Sequence, residues 1–191
     1  GDNALKEPFE YAENLLKNEV RSNNYIFSVC RIEPENNVHL CLDLATKIDF
    51  QVVFVGNWSN SKYGLELKEK YKNFENIFLL DPIYEPKILG SLRSNAKVYF
   101  HGHTVGGTNP SLVEAMSLGL TIIAHDNGFN RHTTNNLAYF FSDSESLINA
   151  FDKAIKKPLN PSELEALVKK RYIWSDIVSD YEKVVEKAFN I

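Results

Sequence analysis

Six short apolar runs, most of them followed by a polar or glycine-bearing turn and then by apolar residues at helical spacing, leave this chain few folds to adopt. The runs are Tyr25 to Cys30, Gln51 to Gly56, Asn76 to Leu80, Ala96 to His101, Leu120 to His125 and Leu137 to Phe141. Helical spacing is read over Val38 to Ile48, Gly64 to Asn73, Glu85 to Asn95 and Pro110 to Leu118. The tail from Ser144 to Ile191 reads as helical, with breaks at Pro158 and Pro161. Runs such as Tyr25-Ile-Phe-Ser-Val-Cys30 are apolar throughout, as expected of strands covered on both faces, and the connections allow only crossovers. The expected fold is therefore α/β: a Rossmann-like, doubly wound parallel sheet of about six strands with a helical C-terminal tail. Residues 1–24, weakly periodic and charged from Glu10 to Arg21, read as a linker or peripheral N-terminal segment; residues 25–191 read as the domain.

Charge narrows the choice of partner. The net charge of −4 on 191 residues argues against nucleic acid, whose phosphate backbone requires a concentrated basic face. No apolar run approaches the roughly 20 residues of a membrane-spanning helix and no charged-then-apolar leader opens the sequence, so a cytoplasmic location is expected. Cys30 and Cys41 lie in apolar surroundings and read as small core residues. No Asp-x-Asp or clustered ligand pattern calls for a metal.

In a sheet of this kind a ligand binds beyond the carboxyl ends of the strands, where strand order reverses. The most informative loop there runs from His101 to Gly119. Asn109 suits a helix N-cap, Pro110 the first helical position and Gly119 the C-terminal stop. Ahead of the cap, Gly106 and Gly107 allow the backbone to approach a ligand, bringing main-chain N–H groups, that of Thr108 among them, and the positive helix end to one place, a natural seat for a diphosphate. Ser111 and Glu114 follow within the first turns, the latter placed to accept hydrogen bonds from a ribose. A surface carboxylate favoured by the helix dipole and glycines that serve only the turn are the plain alternative. Arg31, directly after the first strand, overlooks the same crevice and offers a fork of donors for phosphate oxygens, with a salt bridge to Glu33 or Glu35 as its alternative. His101, His103, Asn127, Asn130 and Arg131 are further candidates. Asn127-Gly128 also reads as a tight turn. Ile83, within Pro82-Ile83-Tyr84, is placed to flank a base, and Tyr84 reads equally well as a packing residue.

With these residues in hand, the chain resembles the C-terminal domain of retaining, family-4-type (group 1) glycosyltransferases of the GT-B fold, from about Tyr25 to the C-terminus. Three stretches carry the resemblance: Cys30-Arg-Ile-Glu-Pro-Glu-Asn-Asn-Val38, Gly106 through Gly119, and Tyr172-Ile-Trp174 with the helix after it. The resemblance implies a nucleoside-diphosphate sugar as donor substrate, no required cofactor, and catalytic roles for Arg31 and Glu114, on the diphosphate and the ribose. Where the family carries a lysine this chain has Asn36, and where it carries the first of two glutamates this chain has Gly106. The wording of the first two stretches looks most like a bacterial subgroup of rhamnosyltransferases in surface-polysaccharide assembly. GT-B enzymes pair two such domains. The N-terminal one, absent from this sequence, would hold a saccharide or lipid-linked acceptor, the isolated domain would be inactive, and the full-length protein would sit in the cytoplasm or at the inner membrane face. The apolar face of the last helix, with Ile177, Val178, Tyr181, Val184 and Val185, is then a surface for self-association. An epimerase-like GT-B enzyme, or a non-catalytic binding module derived from a glycosyltransferase, fits the same residues. A dinucleotide-dependent dehydrogenase does not, since no G-x-G-x-x-G follows the first strand.

Overall fold

Alternation along the strands delivers their side chains to two cores. The computed structural model describes residues 4–16 and 19–189. The ends of the N-terminal segment and tail at 1–3 and 190–191, and positions 17–18, lie outside the described residues. Strands β1 (Tyr25–Val29), β2 (Gln51–Val55), β3 (Ile77–Leu80), β4 (Val98–His101), β5 (Thr121–His125) and β6 (Tyr139–Phe141) form one parallel sheet in the order β3-β2-β1-β4-β5-β6. Ile26, Val52, Phe54, Val98, Phe100 and Ile123 pack to one side, with α2 (Val38–Ala45), α3 (Lys62–Tyr71) and α7 (Ser144–Lys156). Their neighbours Tyr25, Phe27, Val53, Val55, Tyr99 and Ile122 pack to the other, with α1 (Glu10–Glu13), α4 (Pro86–Ser94), α5 (Pro110–Ser117) and α8 (Pro161–Arg171). Each such aliphatic or aromatic side chain contributes about 1.5–3 kcal/mol by leaving water, and a one-residue slip of register would exchange the two cores.

The six-stranded α/β expectation holds, with local corrections. Ala96 and Leu120 precede their strands because their amides close the preceding helices, Ala96 onto the Arg93 carbonyl and Leu120 onto that of Ala115. The tight turn read at Asn127-Gly128 is instead the start of α6 (Gly128–Thr134). The Asn127 side chain caps it by accepting from the Asn130 amide at 2.8 Å, and Asn135 ends it in the left-handed region at φ 51°. The tail divides into α7, α8 and α9 (Trp174–Phe189), and no residue of α9 is buried.

In the N-terminal segment Ala12, Leu16 and Val20 are buried, and Ser91 Oγ on α4 donates to the Pro8 carbonyl at 2.7 Å. This segment is therefore docked along α4. Among the described residues no helix is long and apolar enough to cross a membrane.

Candidate functional site

Strand order reverses between β1 and β4, which pair directly while their crossovers run to opposite sides of the sheet. The loops leaving these two strands are bonded to each other. Asn37, left-handed at φ 50°, donates from its amide to the Gly102 carbonyl at 2.9 Å. Thr104 donates from both its main-chain N–H and its hydroxyl to the Glu35 carbonyl, at 2.9 and 3.0 Å. Arg31 begins the first of these loops with its side chain exposed, and its carbonyl is fixed by the Asn36 amide at 2.8 Å. Asn36 itself is buried. Its side chain faces the chain it braces, so its amide positions Arg31 and does not take the place of the charge a lysine would bring.

Across the crevice stands the tip of α5. Asn109 caps it as its residue type predicts, accepting from the Ser111 amide at 3.0 Å and the Ser111 hydroxyl at 2.8 Å. The Ser111 amide is thus committed, and Pro110 has none. The amides of Gly106, Gly107, Thr108 and Asn109 have no protein acceptor among the described residues. Gly106 requires glycine for its φ of +125°, and a Cβ on either Gly106 or Gly107 would meet nothing within 4 Å among the described residues. Protein packing therefore does not exclude a side chain at Gly107, whereas close approach of a ligand to the backbone would.

Glu114 is not free. Its carboxylate is held by the Arg93 guanidinium, Nη2 to Oε2, at 2.7 Å, with the arginine side chain 6% and the glutamate 30% exposed. Sequence reading missed Arg93. The signal was a charged residue at the helical spacing of the buried face, four after Leu89 and next to Leu92. This pairing engages one carboxylate oxygen of a side chain that is still partly exposed.

His101 and His103 stack with ring centroids 4.2 Å apart and an interplanar angle of 10°, and Tyr99 continues the column at 6.2 Å. The backbone beneath them is braced. Asn127 and Asn130 both donate to the His103 carbonyl, at 2.8 and 3.0 Å, and Asn130 also holds that of His125 at 2.8 Å. These asparagines, candidate ligand contacts from the sequence, therefore join the loops after β4 and β5. Burial holds His101 well below its ordinary 6.5, and burial followed by the positive charge of Arg31 lowers His103 to about 4, with Glu35 opposing. Both are neutral at physiological pH. Because the folded values lie below the unfolded one, the unfolded chain takes up protons first as pH falls. Stability is then full above about 6.5 and declines toward 4. The melting temperature is expected to drop across that window, and His103→Gln should flatten part of the slope; an unchanged slope would remove His103 from the effect.

The remaining candidates are placed apart from these. Arg131 is committed to Asp126, through Nε at 2.5 Å and Nη2 at 2.7 Å. Ile83 is partly buried against the second core, and Tyr84 is 90% exposed, so it has no packing role. Tyr172, in the third resemblance stretch, donates from its hydroxyl to the Thr133 carbonyl at 3.0 Å and so secures α6. A larger cavity, about 840 Å³, lies where the strands begin, and Glu19, Asp49 and Glu75 line it. Three carboxylates against the single arginine of that lining, Arg21, disfavour an anionic ligand. Around the α5 tip a smaller cavity of about 110 Å³ is lined by both histidines and the glycine loop. No group of three or more potential metal ligands occurs among the described residues.

Residues 13–172 match the family described as glycosyl transferases group 1. No curated protein matches the chain. Among solved structures it is similar to a sucrose-phosphate synthase from Thermosynechococcus elongatus, at 17% identity and a TM-score of 0.78 over 96% of this chain and 50% of that one. It is similar also to Anabaena HepE in complex with UDP, at 17% identity and a TM-score of 0.74 over 95% and 53%. The C-terminal domain of a glycosyl transferase group 1 family protein from Francisella tularensis aligns at 16% identity with a TM-score of 0.68, over 88% of this chain and 96% of that domain. The chain thus spans about half the length of the first two structures and nearly all of an isolated C-terminal domain.

Proposed function

Because the chain belongs to the group 1 glycosyltransferases and has the fold of their C-terminal GT-B half, we propose that it is the donor-binding half of such an enzyme, seating a nucleoside-diphosphate sugar between the loops after β1 and β4. One observation carries the reading: the exposed Arg31 follows β1 and the uncommitted amides of Gly106 to Asn109 follow β4, the two adjacent strands at which strand order reverses. An arginine fork and a row of N–H groups at a helix tip are complementary to a diphosphate. Glu114, steadied by Arg93, offers a carboxylate oxygen to a ribose hydroxyl. The UDP bound to HepE supports this ligand class.

As the bond between sugar and diphosphate breaks, negative charge gathers on the departing phosphate. Donors already aimed at that position stabilise the transition state more than the ground state, and none needs to reorganise. The acceptor, a saccharide or lipid-linked saccharide of surface-polysaccharide synthesis, is held by a second domain of the full-length protein, and this half alone is inactive. The finer reading of the donor, a deoxysugar such as rhamnose, rests on the wording of the two glycosyltransferase-like stretches and on Gly106, which brings no carboxylate to the sugar. On α9, Trp174, Val178, Tyr181, Val184, Val185 and Phe189 expose a continuous apolar stripe, with Tyr181 at 70%. Contact with the second domain, or with a second copy of the chain, would cover it.

Replacing Arg31 with Ala is expected to weaken binding of the matching nucleoside diphosphate about tenfold by calorimetry, the worth of one charge-assisted contact. Unchanged affinity would place the diphosphate elsewhere.

A further inference from the structure

His101 is 1% exposed, yet neither ring nitrogen has a hydrogen-bond partner among the described residues, and Nδ1 of His103 has none either. Buried polar atoms are rarely left so, and a group without a partner inside a protein is costly. Both rings line the cavity of about 110 Å³ beside Gly107 and Asn109, a volume that admits a hydroxyl or hydroxymethyl group and not a whole sugar ring. At its rim stand Val105, 63% exposed, and Phe129, 54% exposed, apolar surfaces suited to the C–H face of a pyranose.

The chemistry of the rings decides between ligands. A neutral imidazole presents one donor nitrogen and one acceptor nitrogen. An ionised phosphate oxygen only accepts, so it would leave each ring's acceptor unmatched. A hydroxyl both donates and accepts, and adjacent hydroxyls satisfy both kinds of nitrogen. Burial, which keeps both rings unprotonated, preserves the acceptors. The diphosphate, by contrast, has its own complement in Arg31 and the loop amides.

We propose that the stacked His101–His103 pair is the subsite for the transferred sugar, exchanging hydrogen bonds with its hydroxyls and so distinguishing a sugar nucleotide from the bare nucleoside diphosphate. This rests on the donor-site reading above, and its test separates the two. Imidazole nitrogen resonances of the ¹⁵N-histidine-labelled chain are followed while UDP, GDP or deoxythymidine diphosphate, and then the corresponding sugar nucleotides, are added, with affinities measured by calorimetry. The His101 and His103 signals are expected to move further with a sugar nucleotide than with its diphosphate, whose charge reaches His103 only through Arg31. In His103→Phe, which keeps the stack and removes the nitrogens, the affinity advantage of the sugar nucleotide over its diphosphate is expected to fall about tenfold. His103→Asn, which restores polar atoms, should recover part of that advantage.

If the histidine signals move equally with the diphosphate alone, or if the sugar nucleotide binds and leaves them unmoved, the sugar subsite is overturned and the donor site stands. Binding of no nucleotide at all overturns both.

Discussion

Glu114→Ala is expected to lower the unfolding free energy by about 4 kcal/mol, whereas Arg93→Met lowers it by roughly half as much, because the two members of this pair lie in unequal surroundings. The Arg93 side chain is 6% exposed and its Nε has no partner among the described residues. A guanidinium cannot shed its charge, so without Glu114 it remains buried and uncompensated. Glu114 is 30% exposed, and without Arg93 its carboxylate can turn toward water. Urea titrations of both variants and of the Arg93→Met/Glu114→Leu pair measure the difference, and the double variant should be more stable than Glu114→Ala. If Arg93→Met proved the more damaging, the pair would owe its worth to α4 packing and not to charge. The result also governs how binding is read. A Glu114→Ala chain that fails to bind nucleotide reports a lost ribose contact only if the chain is shown to be folded.

How much of this was legible in the sequence follows from how local each cause is. Strand periodicity, the Asn109 cap and the Pro110 start are encoded within a few residues, and all three appear where the pattern placed them. Arg31 and the Gly106–Gly107 loop could be placed at neighbouring strand ends because a parallel sheet brings the ends of β1 and β4 together. What remained hidden were contacts between distant side chains. Nothing around Glu114 announces Arg93, twenty-one positions earlier, and nothing in Asn37, Asn127 or Asn130 announces that their amides tie one loop to the next. The helix α6 was missed for a related reason: Asn-Gly is a strong turn signal, and here the same asparagine serves as a cap.

Gly102 is the position where that tying of loops is most vulnerable, and Gly102→Ala is expected to cost about 3 kcal/mol or more and to weaken nucleoside-diphosphate binding at least tenfold even in the folded fraction. A Cβ there would sit against the Asn36 carbonyl, far inside contact distance, and 2.8 Å from Phe100 Cε1. Phe100 belongs to the core between the sheet and α2, and the Asn36 carbonyl is main chain, so neither can turn aside as a flexible side chain would. Relief requires the loop after β1 to move away from the loop after β4. That motion strains the Asn37 bond to the Gly102 carbonyl and the Thr104 bonds to Glu35, and it carries Arg31 away from the α5 tip. Gly107→Ala is the control for simple bulk. Its Cβ would meet no atom of the described residues within 4 Å, so stability should hardly change while binding falls, because the added methyl occupies the approach to the loop amides. Equal nucleotide affinity in Gly102→Ala and the parent would show that Arg31 and the helix tip need no fixed separation, and the joint anion cradle on which the donor-site assignment depends would then be lost.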